Sequence, residues 1–367
     1  MASLSKLSEL ATLGQSIWYD FIRRDFLING ELQALVDKGL RGLTSNPSIF
    51  EKAITKTRDY DEELNSLLKQ TGSVHDIYEN LVISDIKTAA EIFNPVYEAT
   101  GGIDGYVSLE VNPLIAHDTQ STIDEAKRLF KKVNKKNLMI KVPATKEGLP
   151  AVTELLASGI NVNVTLIFSL ENYLEVADAY KKGIQKLVEN GGDASKVSSV
   201  ASFFVSRLDS YVDKLLDEKG NTDLKGKTAV SYAKVTYHEF LKTFTGDIWQ
   251  SRVDHGAHTQ RLLWASTSTK NHNYSDTLYV DNLIGPNTVN TVPPATLENF
   301  CDHGTVKNTI SKGLDEAHDN LQKLEDIGID LKEVTDRLQK DGVEAFANSY
   351  KGIIHSIEEK IGSLNNA

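Results

Sequence analysis

The chain predicts a closed (β/α)8 barrel, an α/β fold in which residues 1–367 form a single domain with additional N- and C-terminal helices. Eight short, apolar, β-branched runs alternate with longer segments of helical period, a rhythm that calls for parallel strands joined by crossover helices. The chain has 367 residues, and eight such units in roughly 250 to 300 residues is the size of a closed barrel. No Pro/Gly/Ser-rich stretch is long enough to separate one domain from another, and no repeat is visible beyond the β/α alternation. A doubly wound open sheet is the competing arrangement.

The elements follow in order. Residues 1–13 are an amphipathic Ser/Leu/Glu segment, followed by the first strand at 16–21 and a helical pattern at 31–38. The second strand, 41–44, runs into Asn46-Pro47 and a short helix at 48–53; the third, 106–111, is followed by a helix at 121–132. Strands at 138–142 and 161–168 are each trailed by helical patterns, at 149–157 and 170–189. The sixth strand, 197–202, precedes helices at 205–217 and 230–244, and strands at 262–267 and 288–292 complete the set. Beyond them, about 311–364 is helical only, with Val343, Phe346, Tyr350, Ile353, Ile354, Ile357 and Ile361 on one apolar face that should pack back on the body. Closing the barrel mouth and packing on the outer wall are both open to this extension.

Composition narrows the function. With 25% charged and 40% hydrophobic residues and a net charge of −11, the chain is an ordinary globular one. Its scattered charge argues against a nucleic-acid binder or a polybasic membrane anchor, whereas a few local cations would suffice for small acidic substrates. Cys301 is the only cysteine, so an intrachain disulfide or a Cys-rich metal site is excluded; it is expected to be a packed small side chain. No run approaches the roughly 20 apolar residues of a membrane span, and a cytoplasmic location is expected.

Strand alternation divides each run into an apolar set and a set pointing the other way. In Leu138-Met139-Ile140-Lys141-Val142 the second set is Met139 and Lys141; in Val107-Ser108-Leu109-Glu110-Val111 it is Ser108 and Glu110; in 161–166 it is Asn161, Asn163 and Thr165. The same division yields Trp18 and Asp20, Thr44 and Asn46, Ser202 and Phe204, and Ser266 and Ser268. These polar residues cluster toward the C-terminal ends of their runs, where barrel enzymes carry their chemistry.

One lysine and two carboxylates, Lys141, Asp20 and Glu110, would then share a partly dry cavity. Two carboxylates could hold a divalent cation, but the cluster contains no histidine and a lysine opposes a cation, so a site free of metal and cofactor is expected. A lysine buried in this way yields some neutral amine able to attack a carbonyl, which is Schiff-base chemistry. Singly, these residues have plainer readings: Lys141 as a snorkelling side chain, Asn46 as a helix cap, Ser266 and Ser268 as turn residues, Arg207 as an exposed helix ion pair. His255 and His258 form an H-x-x-H without acidic or cysteine partners in register. Nucleotide-phosphate loops of the G-x-x-x-x-G-K-[ST] and G-x-G-x-x-G kinds are absent, which leaves Arg207 and Lys270, near strand ends, as candidates for holding phosphate.

The strings GLTSNPSIF (42–50), SLEVNP (108–113), MIKVPAT (139–145), GINVNVTLIFS (159–169), ASFFVSRLD (201–209) and LLWASTSTKN (262–271) together resemble the transaldolases, over about 13–297, and the 207–260 region and the 275–297 ending resemble a longer bacterial branch. The resemblance implies a cofactor-free barrel of the pentose phosphate pathway that transfers a dihydroxyacetone unit. Sedoheptulose 7-phosphate would be the donor and glyceraldehyde 3-phosphate the acceptor, with erythrose 4-phosphate and fructose 6-phosphate as products. It implies that Lys141 forms the imine, Asp20 moves the hydroxyl proton, and Glu110 with Thr165 handles water. Asn46, Asn163, Thr44 and Ser202 would contact substrate hydroxyls, Phe204 would wall the site, and Arg207 would bind phosphate. Many relatives carry serine-x-arginine where this chain has Ser266-Thr267-Ser268-Thr269-Lys270, which leaves the phosphate contact open among Ser266, Ser268 and Lys270. A monomer or homodimer is implied. A class I aldolase releasing free dihydroxyacetone and a non-catalytic sugar-phosphate-binding barrel are the alternatives.

Overall fold

A computed structural model describes residues 5–71 and 73–365; whatever the sequence predicts for 1–4, 72, 366 and 367 lies outside the described residues. Eight parallel strands close into a barrel in sequence order, each pairing with the next and the last with the first. They are β1 (Gln15–Asp20), β2 (Gly42–Thr44), β3 (Tyr106–Glu110), β4 (Leu138–Pro143), β5 (Val162–Ile167), β6 (Ser199–Phe204), β7 (Arg261–Ala265) and β8 (Thr288–Val292). The fold is the expected (β/α)8 barrel, and the open sheet is excluded by the β1–β8 pairing.

Side chains fill the interior in layers. Near the bottom, Trp18 lies so close to β2 that a Cβ at position 42 would sit 2.7 Å from its ring, which is why Gly42 stands there. The base is plugged by a buried ion pair: Arg261 donates to Asp104 at 2.8 Å and to Ser16 at 2.9 Å. A polar plug and packing around Trp18 together fill the lower barrel.

Most boundaries shift by a residue or more from the sequence reading, and three differences bear on the site and the C-terminal region. β6 starts and ends two residues later, so Phe204 is its last residue. β7 stops at Ala265, because Ser266 takes a left-handed φ of 56° that ends the extended backbone; Ser266 and Ser268 are loop residues rather than strand residues. The C-terminal region is two helices, Leu314–Asp326 and Leu331–Asn365, divided at Gly328, whose φ is +74°. Between β2 and β3 the one-strand-one-helix rhythm also breaks, since three helices, Pro47–Lys56, Asp61–Leu68 and Val74–Ala99, occupy that connection.

The long Leu331–Asn365 helix crosses the C-terminal mouth of the barrel. Ile353 and Ile357 are fully buried, Val343, Phe346 and Tyr350 nearly so, and the helix packs on Pro47–Lys56, where Ser349 and Ser48 share a hydrogen bond of 2.7 Å. One side chain ties it to the strand ends. The Gln339 amide donates to the carbonyls of Ala144 (3.0 Å) and Leu166 (3.2 Å) and to Asn172 Oδ1 (2.9 Å). Leu166 itself has a φ of 62° at a register shift between β5 and β6, so the helix braces a strained bulge in β5 directly after Thr165.

Cys301 does not pack as expected. It is exposed on the Pro294–His303 helix, whose inner face is made by Thr296, Leu297 and Phe300, leaving position 301 one residue off that face. Replacing Gln339 by Leu should lower unfolding stability by about 1 to 3 kcal/mol, because two backbone carbonyls lose a donor that leucine cannot replace. Urea unfolding of the variant against the parent chain checks this; an unchanged midpoint would mean that the clamp contributes nothing.

Candidate active site

Strand register assembles the charged cluster. Glu110 of β3 pairs with Lys141 of β4, which pairs with Asn163 of β5, so three neighbouring strands present one row of polar residues. Asp20 of β1 pairs with Thr44 of β2, and Thr44 with Ser108 of β3, giving a second row. Side chains in register on adjacent strands point to the same face. The barrel thus brings Asp20, Glu110 and Lys141 from three strands to one place.

Lys141 Nζ lies 3.5 Å from Glu110 Oε2 and donates to the Ser45 carbonyl at 3.3 Å. Its side chain and that of Glu110 are 6% and 5% exposed, so the pair is shielded from solvent. Burial raises the Glu110 carboxyl to about 7; nearby Lys141 pulls the other way, and Asp20 pushes it further up. Burial also raises Asp20, outweighing the lowering by Lys141, by the Thr44 hydroxyl that donates to it at 2.7 Å, and by Lys270. Glu110 Oε2 and Thr165 Oγ1 are buried without a hydrogen-bond partner among the described residues, in keeping with a place where a small polar group is handled.

A cavity of about 190 Å³ opens above this cluster. Asp20, Thr44, Asn46, Lys141, Thr165 and Ser202 line it on the barrel side, and Phe204, Arg207, Ser266, Ser268 and Lys270 line the rest. Of the thirteen candidates, Glu110 and Asn163 are not in its wall. Asn163 is fully buried below, where it donates to Ser108 at 3.1 Å and its amide oxygen accepts from Ser202 at 2.6 Å. Glu110 lines a neighbouring cavity while its Oε2 stays 3.5 Å from Lys141 Nζ.

One end of the cavity is cationic. Arg207 stands at the start of the Ser206–Glu218 helix, stacked 5.4 Å from the Phe204 ring, and no carboxylate pairs with it among the described residues. Burial pulls its pKa down, and Lys270 is lowered by burial and by its neighbours Arg207 and Lys52, which is the electrostatic cost of two cations facing one space. Lys270 donates to Ser268 at 2.6 Å, while Ser266 shares a hydrogen bond of 2.9 Å with Ser206. An anion placed here would meet two cations and a helix N-terminus.

The plainer alternatives resolve unevenly. Asn46 does cap a helix, its Oδ1 accepting from Ile49 N at 3.1 Å, yet it also lines the cavity. His258 accepts from or donates to Ser198 at 2.7 Å, whereas His255 contacts the Ser251 carbonyl at 2.6 Å, so the two rings serve different neighbours. Sequence reasoning missed five wall residues, Ala265, Thr267, Thr291, Pro293 and Phe346, of which two make contacts with the candidates. Phe346, read only as belonging to an apolar helix face, reaches down to place its ring 5.5 Å from Lys141 Nζ. Thr291 of β8 bonds Thr44 at 2.6 Å, but the pattern Thr-Val-Asn-Thr-Val has no consistent apolar set to mark which face is inward.

A family model described as transaldolase/fructose-6-phosphate aldolase matches residues 17–357. The chain is 47% identical over 372 residues to a transaldolase of Trichodesmium erythraeum, covering 98% of both chains. It is 45% identical over 378 residues to transaldolase 2 of a Nostoc species, covering 99% of both, and 44% identical over 361 residues to a transaldolase of Frankia alni, covering 97% of both. A lysine–carboxylate pair at the mouth of an eight-stranded barrel, with a cationic pocket beside it and matches of this length, establishes that the chain belongs to the transaldolase/fructose-6-phosphate aldolase family.

Proposed function

We propose that the protein is a transaldolase that moves a dihydroxyacetone unit from sedoheptulose 7-phosphate to glyceraldehyde 3-phosphate in the pentose phosphate pathway. The observation that carries this reading is Lys141 Nζ, held 3.5 Å from Glu110 at the floor of a cavity whose far end is Arg207 and Lys270. A ketose phosphate lying between them would put its phosphate on the cations and its carbonyl at the amine. The protein would work in the cytoplasm as a monomer or homodimer, without nucleic-acid or membrane partners; no helix among the described residues is long and apolar enough to cross a membrane.

The chemistry follows from the positions. The Lys141 amine adds to the C2 ketone, water leaves, and the resulting iminium draws electrons from the carbon chain. Asp20, whose proton affinity is raised by burial, takes the C4 hydroxyl proton as the C3–C4 bond breaks. Erythrose 4-phosphate departs and leaves an enamine on Lys141. That enamine attacks the acceptor aldehyde while Asp20 returns its proton, and hydrolysis assisted by Glu110 and Thr165 frees fructose 6-phosphate. Thr44, Asn46 and Ser202 bind the hydroxyls of the three-carbon unit, with Asn163 holding Ser202 from below. Phe204 and Phe346 wall the enamine from bulk water, which favours transfer over protonation. Arg207 is the main phosphate residue, with Lys270, Ser266 and Ser268 beside it.

Borohydride reduction in the presence of fructose 6-phosphate, followed by mass spectrometry, should place a three-carbon adduct on Lys141, and Lys141→Ala should show neither adduct nor turnover. Asp20→Ala should still condense but stall, accumulating an adduct that keeps all six carbons; a three-carbon adduct formed at the parent rate would mean that Asp20 is not the cleavage base.

Arg207→Ala should raise KM for phosphorylated donors far more than it lowers turnover of free dihydroxyacetone donors, because it removes phosphate binding present equally in ground and transition states. Equal losses for both donor types would assign Arg207 to structure or chemistry instead.

Imine hydrolysis needs Glu110 as a carboxylate, and its pKa is about 7. Protonation removes the base, so the hydrolysis rate should fall about tenfold per pH unit below that value. Glu110→Gln should be slow and lack this break. A break that persists in the variant would belong to another group.

A further inference from the structure

A second cavity lies directly behind Glu110. It has a volume of about 330 Å³ and is enclosed by the Val74–Ala99 helix, the Thr119–Val133 helix that follows β3, the turn after β2 and Tyr350 of the C-terminal helix. Glu110 lines this cavity and is not among the residues lining the catalytic one, whereas Lys141 and Thr165 line the catalytic one and not this one; Asn46 borders both. The amine and the carboxylate therefore meet through the partition between two cavities, 3.5 Å apart.

The two ends of the second cavity differ in character. Near Glu110 its walls are the buried Val82, Ile83, Leu109 and Leu129. At the outer rim the residues are polar: His75 Nδ1 lies 3.2 Å from Tyr350 Oη, and Arg128 holds Glu79 through two bonds of 2.6 and 2.7 Å. The Arg128 side chain is half exposed, so the rim meets solvent. The cavity thus has both partly exposed polar residues and a buried carboxylate in its lining, and it shares only Asn46 with the cavity that Phe346 and the cationic residues line.

We propose that this second cavity is the water passage of the Schiff base, through which water leaves when Lys141 condenses with a ketone and through which hydrolytic water arrives. The inference rests on the transaldolase reading and adds to it where the water travels. In condensation the amine first adds to the ketone to give a carbinolamine. The Glu110 carboxylic acid then protonates its hydroxyl, the C–O bond breaks, the nitrogen lone pair forms the C=N bond, and one water leaves on the Glu110 side. In hydrolysis the Glu110 carboxylate takes a proton from a water whose oxygen adds to the iminium carbon, and collapse of the carbinolamine restores ketone and amine.

Separate access has a physical purpose. A sugar phosphate spanning Lys141 to Arg207 fills the catalytic cavity, so water formed beneath it has no exit past the substrate. Water admitted from the mouth would also meet the enamine carbon, and its protonation would end the transfer. Delivery from behind the carboxylate lets the imine hydrolyse while the enamine stays dry.

The test fills the passage without touching the machinery. Val82→Ile adds one methylene to its wall and Leu129→Phe adds a ring, each checked for folding by thermal unfolding. In an Asp20→Ala background, which forms the imine but does not cleave, loss of oxygen-18 from the C2 carbonyl of fructose 6-phosphate into water reports only condensation and hydrolysis. With the nonenzymatic rate subtracted, exchange should slow in both variants, by roughly tenfold or more for Leu129→Phe, whose rigid ring reaches further across the passage. Cleavage of preformed imine in the Asp20-containing enzyme, followed in a single turnover, should keep the parent rate. Parent-rate exchange in a folded Leu129→Phe overturns the passage; should that variant fail to fold, parent-rate exchange in Val82→Ile does so. Absence of any Lys141 adduct in the unsubstituted protein would instead overturn the transaldolase reading, so the two failures are distinct.

Discussion

Everything in the site depends on keeping one amine and two carboxylates together out of water. Lys141, Glu110 and Asp20 are expensive to bury singly, and they are tolerated because each carboxylate offsets some of the amine's desolvation and the amine some of theirs. The offset is incomplete. Both carboxyls stay above their ordinary values, and Glu110, pushed up to about 7, is able to exchange protons near neutral pH. A tighter ion pair would be quieter and less useful: at 3.5 Å, with the amine also held by the Ser45 carbonyl, Lys141 is positioned but not locked.

The barrel supplies that arrangement through register. Parallel pairing sets Glu110 beside Lys141 and Asp20 beside Thr44, so hydrogen bonds of the sheet fix the relative heights of the reacting groups before any side chain contact forms. Below them the Asp104–Arg261 pair and Trp18 fill the base of the barrel. Above them the strand ends at Thr165-Leu166 and Ala265-Ser266 depart from extended geometry, with left-handed φ values at Leu166 and Ser266. The Gln339 amide donates to the carbonyl of the first of these two residues.

The C-terminal helix is therefore a wall of the site as much as an outer layer. It braces the ends of β4 and β5 through Gln339, lowers Phe346 onto Lys141, and contributes Tyr350 to the cavity behind Glu110. Two cavities meet at one ion pair, Asp20, Lys141 and Arg207 lining one and Glu110 the other, and the proposed division of labour rests on that partition.

By itself the sequence determined the barrel, because eight apolar runs at regular spacing leave few other ways to bury their surfaces. It also determined which face of β1, β3, β4 and β5 carries Asp20, Glu110, Lys141 and Thr165, since alternation on a strand is a local property. Family strings added roles that no local rule contains. The path of the C-terminal helix was not legible, because an amphipathic stripe says that a face is buried and not what buries it. The left-handed turn at Ser266, the inward setting of Thr291 and the recessed place of Asn163 likewise came only from the closed sheet, whose shear decides how high each strand end stands. That Glu110 and Lys141 line different cavities depends on the Pro47–Lys56, Val74–Ala99 and Thr119–Val133 helices and on Tyr350, which only tertiary packing brings together.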